Sequence, residues 1–300
     1  MDLHHVLTLL TPTSWLFDEP LARHTTFKTG GPADALALPA SEYEAVALIN
    51  ALQKSGIRHM VIGRGSNLLF TDAGYRGVIV KILDNMSDIS FADDVITAEA
   101  GCSLSAAAHL SMKRGLSGME LISGIPGSVG GAVYMNAGAY GSEVKDVFLD
   151  AKVLLTDGSV VTYDNEAMKF CYRKSAVSDR GGVILSVRFK LFFGRSENII
   201  QLMTEYTRRR KEKQPLDKAS AGSTFKRPEG FFAGKLIEDA GLKGYSIGGA
   251  QVSEKHCGFV INKGDATSTD ILRLIEHIQN TVLKQFGVML EPEVKLIAGS

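Results

Sequence analysis

The stretch Ser123–Glu143, "SGIPGSVGGAVYMNAGAYGSE", decides the reading of this chain. It contains six glycines and a single formal charge, on Glu143. Glycine at this density weakens both a core strand and a helix, because the backbone loses more freedom on ordering and brings no side chain to pack. The expectation is a backbone that a large ligand approaches closely.

The rest of the chain sets the frame. With 300 residues, 45% of them hydrophobic and 22% charged, it has the composition of an ordinary globular protein with two or three domains. Thirty-three basic residues balance thirty-three acidic ones, which argues against broad nucleic-acid binding. The apolar run Val6–Leu10 has no basic segment before it. It is expected to be neither a membrane span nor a signal peptide. Cys102, Cys171 and Cys257 are odd in number and far apart, as in a reducing compartment, and no zinc spacing is present. His256 beside Cys257 is read as an incidental pair, and no metal is expected.

Working outward, the first twenty-odd residues read as a leader packed on the body. A helix is expected over 41–56, where Ser41 and Glu44 form a capping-box pattern and Gly56 is the stop. Strands follow over 59–63, 68–70, 78–82 and 95–101, then an alanine-faced helix over 103–115. Residues 152–163 alternate around Asp157-Gly158, a hairpin signal, and 183–193 reads as one long strand. Composition changes at Gly194, and a helix over 196–213 ends in "RRRKEK" before Pro215. A last helix over 270–286 carries Ile271, Leu274, Ile275, Ile278, Val282, Leu283 and Phe286 on one side. "EPEVKLI" closes as a strand. The fold class is α+β.

"VIGRGSNLLF", Val61–Phe70, is a strand running into a glycine turn. Such a turn offers successive N–H groups to phosphate oxygens. It lacks the third glycine and following helix of a dinucleotide fingerprint, and no Gly-Lys-Ser/Thr of a P-loop follows. Alone it reads as a tight turn between strands. Paired with Ser123–Glu143, it reads as half of a clasp around a ligand that carries a diphosphate and a flat ring.

"TTFKTGGPAD", "VIGRGSNLLF", "GIPGSVGGAVYMNAGAYG", "YRKS", "AGSTFKRP" and "LEPEV" occur in this order, from about His24 to Ile297. Together they resemble the UDP-N-acetylenolpyruvoylglucosamine reductase family of peptidoglycan precursor synthesis. The resemblance implies non-covalent FAD in a two-part domain of the vanillyl-alcohol-oxidase type, followed by a C-terminal α+β substrate domain. The implied division is residues 1–83, 84–194 and 195–300. Gly63, Arg64, Gly65, Ser66, Asn67 and Leu68 would hold the flavin diphosphate. Pro126, Gly127, Ser128, Gly131, Asn136 and Gly138 would line the other side.

The resemblance also implies a reaction. Hydride passes from NADPH by way of the flavin to the terminal carbon of the enolpyruvyl double bond, and a proton goes to the neighbouring carbon. The product is UDP-N-acetylmuramate. Arg173 would face the substrate carboxylate, where a guanidinium fork matches the charge. Ser223 would give the proton and Glu293 would polarise or relay. Lys213 and Arg227 would contact the substrate diphosphate, with Lys226 pointing elsewhere and the rest of "RRRKEK" solvated. The spacing between Arg173 and Ser223 resembles the shorter family form, which lacks a tyrosine-bearing substrate loop. A cytoplasmic monomer or weak oligomer is expected.

Read without the resemblance, Arg173 is a surface arginine after a strand, Ser223 a turn serine and Glu293 an exposed glutamate on an edge strand. Two other functions fit the glycine loops. One is an oxidase of the same flavin fold, which needs neither "AGSTFKRP" nor "LEPEV". The other is a catalytically silent flavin- or nucleotide-binding regulator, which needs none of Arg173, Ser223 and Glu293.

Overall fold

The computed structural model describes residues 5–7, 11 and 13–299. Thr8, Leu9 and Leu10 of the N-terminal apolar run lie outside the described residues. The chain packs as two units, each assembled from separate segments. The first is Met1–Phe17, Ala35–Arg64 and Val78–Arg209, and the second is Asp18–Asp34, Gly65–Gly77 and Arg210–Ser300.

The helix Glu42–Lys54 of the first unit buries Ala45, Leu48, Ile49 and Leu52, one stripe at spacings of three and four. Leu48, Ile49 and Leu52 share a core with Leu7, Ala35, Ala37, Val78 and Val80, and Ala45 joins a larger one. Ser41 Oγ accepts the Glu44 N–H at 3.2 Å as expected, but Glu44 Oε2 takes the N–H of Ala40, one residue earlier than a capping box would use. Strand His59–Ile62 pairs in parallel with Tyr75–Lys81 and delivers the chain to Gly63.

A five-stranded antiparallel sheet forms the other half of this unit, in the order 160–164, 148–154, 183–190, 95–99, 89–92. Ala151, Val153, Val187, Phe189, Ile96 and Ala98 alternate inward from it into the larger core. The hairpin lies at Asp157-Gly158, with only Gly158 in the left-handed region (φ +86°) and Leu155 N–H bonded to Ser159 O at 2.8 Å. The long strand expected over 183–193 is broken at Leu191, whose N–H goes to Asp94 O. Phe192–Phe193 then pairs with Leu116–Ser117 instead.

In the second unit, the helix Ser268–Phe286 is closed at its start by a capping box between Thr267 and Asp270. Asp72 adds its carboxylate to the N–H groups of Ser268 and Thr269, at 2.8 and 2.9 Å. Burial raises the Asp72 pKa, but the Thr269 hydroxyl and these two N–H groups outweigh it and hold it below its ordinary value. Ile271, Leu274, Ile275, Ile278 and Val282 are buried, in one core with Leu236 and Ile237 of the helix Ala233–Asp239 and with Ala250, Val252 and Val260 of a three-stranded sheet. Each such side chain contributes about 1.5–3 kcal/mol when fully buried. Leu283 and Phe286, expected on the same face, are exposed. The last turn outruns the core it rests on.

The closing strand is shorter than "EPEVKLI" suggests. Only Lys295–Ile297 is a strand, and it pairs in parallel with Leu68–Phe70. The expected leader is also more than a leader, because Ser14–Pro20 within it is a strand, neighbour to Pro32–Leu38 in a four-stranded sheet.

Candidate active site

The glycine-rich stretch is not one open loop. Val129–Tyr134 forms a short helix, capped by Ser128, whose Oγ accepts the Gly131 N–H at 3.3 Å. Tertiary bonds override the poor helix propensity of Gly130 and Gly131. Val129 N–H reaches Cys102 O at 2.7 Å, Gly130 N–H reaches Ala100 O at 2.9 Å, and Leu104 N–H reaches Gly127 O at 3.2 Å. A methyl on Gly130 would stand 2.8 Å from Ala100 Cβ, so the close approach itself demands glycine. Burial pushes the Cys102 thiol in this wall up to about 11, which keeps it protonated and inert at neutral pH.

The two glycine segments meet within the first unit. A methyl on Gly63 would stand 2.2 Å from Ser128 Oγ. Here a protein side chain, that of Ser128, leaves no room for one on Gly63. What remains for a ligand is the set of unspent donors. Among the described residues, the N–H groups of Gly63, Arg64, Gly124, Gly127 and Ser128 meet no protein acceptor, and neither does the buried Arg64 Nε. Arg64 Nη2 reaches Asp84 Oδ1 at 3.4 Å. Pro126 and Gly131 are exposed beside these donors. Backbone and guanidinium donors of this kind suit the phosphate oxygens of FAD.

In the second unit, Gly65 (φ +62°) lies against the turn at His24, whose carbonyl would be 2.2 Å from an added methyl. The N–H groups of Gly65 and Ser66 again meet no protein acceptor among the described residues. Asn67 turns elsewhere. Its Nδ2 donates to the Glu293 carbonyl at 3.1 Å and its own carbonyl accepts from Lys295 N–H at 3.0 Å. Asn67 therefore holds the segment of a predicted catalytic residue, and Leu68 begins the strand beside it.

Asn136 is also committed inward. It is fully buried at φ +40°, donates through Nδ2 to Glu143 Oε2 and Cys171 O, both at 3.1 Å, and accepts the Lys145 N–H at 3.1 Å. Both amide hydrogens are spent, so its part in any cofactor site runs through the backbone it fixes.

Arg173 is not a loose surface arginine. Cys171 and Lys174 exchange both backbone bonds across Tyr172-Arg173, and Arg173 occupies the left-handed place of this two-residue turn at φ +58°. That place favours glycine or asparagine, so the turn is strained. The side chain is 16% exposed, and its Nη2 donates to Gly138 O at 3.0 Å. Ser175, at the end of "YRKS", anchors the turn by donating from Oγ to Tyr134 O at 2.8 Å.

Ser223 and Glu293 lie on paired segments of the second unit. Glu293 N–H donates to Thr224 O at 2.8 Å, Lys226 N–H donates to Glu291 O at 2.9 Å, and Phe225 bridges Pro292. Thr224 is fully buried and accepts the Val260 N–H on its Oγ1, so the pairing is anchored from beneath. Ser223 is exposed and Glu293 half-buried. Glu293 precedes the last strand, not on its edge as the alternative reading had it.

The cations divide clearly. Lys213, the last residue of its helix, has no ionic partner among the described residues. Arg227 lies with its Cζ 4.0 Å over the Phe232 ring. Lys226 pairs with Glu291. Arg208 and Arg209 share Glu205 on the helix surface, but Arg210 is 9% exposed, a correction to the fully solvated reading of that run. Thr224, Glu143 and Ser175 are supporting residues that sequence reasoning missed. Their only signal was adjacency to Ser223, Gly138 and Arg173. Among the described residues no His/Cys/Asp/Glu group could hold a metal ion, and no helix is long and apolar enough to cross a membrane.

Comparison with known proteins bears on the whole chain. A family model described as an FAD binding domain matches residues 33–164. Another, described as the C-terminal domain of UDP-N-acetylenolpyruvoylglucosamine reductase, matches residues 214–297. The UDP-N-acetylenolpyruvoylglucosamine reductase of Caldanaerobacter subterraneus subsp. tengcongensis is 52% identical over 280 residues, covering 93% of this chain and 92% of its own. That of Agathobacter rectalis is 52% identical over 294 residues, covering 94% and 93%. The crystal structure of the Thermus caldophilus reductase aligns with a TM-score of 0.80 at 33% identity, covering 95% of this chain and 98% of that one.

Proposed function

Because the chain belongs to the UDP-N-acetylenolpyruvoylglucosamine reductase family, and is thus an FAD-containing oxidoreductase of peptidoglycan precursor synthesis, we propose that NADPH is its electron donor and Ser223 its proton donor. The chemistry supplied by bound FAD is two-electron transfer from a nicotinamide to the enolpyruvyl double bond. The chain's own residues do the rest. Unspent N–H groups of Gly63, Arg64, Gly65 and Ser66 bind phosphate oxygens. Arg173 orients the substrate carboxylate and stabilises the negative charge that grows into it when the neighbouring carbon becomes carbanion-like. Ser223 Oγ gives its proton to that carbon. Glu293 helps polarise or relay that proton, and Lys213 and Arg227 bind the substrate diphosphate.

One observation carries the proton-donor reading. The Thr224 carbonyl takes the Glu293 N–H at 2.8 Å, so the backbone next to Ser223 and the backbone of Glu293 are one hydrogen-bonded unit. A weak acid such as serine needs a fixed, polar neighbour to act, and this pairing supplies a fixed one. The nucleotide-sugar substrate supports a cytoplasmic location as part of the same proposal.

The experiment is an anaerobic visible spectrum of the flavin-loaded protein, taken after NADPH and again after the enolpyruvyl UDP-sugar. Bleaching by NADPH and recovery with the sugar are expected. Bleaching without recovery would remove the substrate, and no bleaching would remove the donor.

A further inference from the structure

Glu143 ends the glycine-rich stretch, and its carboxylate gathers donors from three sides within the first unit. Asn136 Nδ2 donates to Oε2 at 3.1 Å, Lys145 Nζ stands 2.9 Å from Oε2, and Arg173 Nη1 stands 3.9 Å from Oε1. Arg173 also hangs from the Gly138 carbonyl, five residues earlier in the same stretch. Through its other amide hydrogen, Asn136 grips Cys171 O at the base of the turn that presents Arg173. One buried amide and one carboxylate thus join the end of the glycine stretch to both the root and the head of this arginine.

Resting on the reading of Arg173 as the residue that meets the substrate carboxylate, we propose that Glu143 is a positioning residue that aims the Arg173 guanidinium. At 3.9 Å the Oε1–Nη1 contact is an ionic approach and not a hydrogen bond, so it orients the fork without closing it. The Glu143 charge is shared with Lys145 and with the amide of Asn136. Its hold on Arg173 is therefore weaker than a dedicated pair, and an incoming carboxylate can displace it. Arginine carries many rotamers, and fixing it before the substrate arrives removes part of the ordering cost from the chemical step.

The competing account is that Glu143 only caps the short turn Val144–Asp146, where its side chain accepts the Asp146 N–H. Glu143→Gln separates the two, because it keeps an acceptor for the cap and removes the charge. Glu143→Asp keeps the charge on a shorter arm.

The test follows both half-reactions, flavin reduction by NADPH and reoxidation by the enolpyruvyl sugar, in wild type, E143Q, E143D, Arg173→Ala and the double variant E143Q/R173A. E143Q is expected to slow the sugar step about 10-fold, in keeping with a small misplacement of a catalytic group. Flavin content, melting temperature and the NADPH step should stay as in wild type. E143D should recover most of the loss, and the double variant should match R173A alone. If E143Q reoxidises within twofold of wild type while R173A is slow, Glu143 does not position Arg173. Losses that multiply in the double variant, or an Asp no better than Gln, overturn the proposal in the same way. A fast R173A sinks the reading of Arg173 itself.

Discussion

Gly63 lies so close to Ser128 that a methyl on the glycine would stand 2.2 Å from the serine Oγ and 3.2 Å from its Cβ. The two residues are 65 positions apart in sequence and belong to the two segments whose unspent N–H groups suit a diphosphate. Their contact is therefore a shared wall, and moving one segment moves the other.

Gly63→Ala should destabilise the protein by about 1–3 kcal/mol, the usual cost of overpacking, and should lower the flavin bound per chain after purification. Ser128→Ala removes the atom that the methyl strikes. Combined with G63A it should restore part of the flavin content, read as the ratio of visible to ultraviolet absorbance. A G63A protein with full flavin and unchanged melting would show that the wall yields freely.

Ser223→Ala should leave reduction of the flavin by NADPH near wild type and slow the sugar half-reaction by about 10²–10⁴-fold, the range for a positioned acid. Stopped-flow absorbance separates the two steps. Equal rates in both steps would remove Ser223 as the donor.

Asn136→Ala should cost about 2–3 kcal/mol in urea denaturation. It takes away the acceptor of the Lys145 N–H and the donor to the Cys171 carbonyl, both in part-buried bonds, and trades a residue tolerant of φ +40° for one that is not. Asn136→Gly relieves only the backbone part, so it should remain clearly below wild type. A glycine variant as stable as wild type would assign the whole effect to φ.

His256 supplies a pH signature. Burial holds its pKa below the ordinary imidazole value, opposed by its own backbone bond and by Glu238, and its neutral Nδ1 accepts the Gly258 N–H at 3.1 Å. The folded chain binds this proton less readily than the unfolded one. The contribution is therefore complete above about pH 6.5 and is lost as pH falls through the lowered folded value. Urea midpoints should fall more steeply with acid in wild type than in His256→Asn. Parallel profiles would mean that the ring is not held neutral.

Much of this was legible from particular residues. Ser103 and Gly115 bounded a helix, Gly158 marked a hairpin, and the stripe from Ile271 to Val282 gave a buried face. The helix Val129–Tyr134 was not legible, because its stability comes from bonds to Cys102 and Ala100 and not from its own residues. The strands Ser14–Pro20 and Pro32–Leu38 were not legible either; they neighbour each other, and the second is tied into the sheet by Tyr75–Lys81, some forty residues on. The glycines of Ser123–Glu143 were read as marking the close approach of a ligand, and at Gly130 the close approach is that of Ala100. The approaching surface at Gly63 and Gly130 is protein. Asn136 was singled out as a ligand-facing amide, and nothing in its neighbours announced that three protein groups would claim it.

The parallel pairing of Leu68–Phe70 with Lys295–Ile297 has a bearing on synthesis at the ribosome. Asn67, on one of the two glycine segments, bonds to Glu293 and Lys295, so more than two hundred residues must be translated before it finds its partners. The core of the five-stranded sheet, which ends at Lys190, can close while the ribosome is still working, as early-synthesised regions do. The pairing of Leu68–Phe70 in the second unit cannot form until Lys295–Ile297 has been translated. A nascent chain that stalls before Lys295 lacks the bond from Lys295 N–H to the Asn67 carbonyl, so flavin uptake should report that translation has passed this strand.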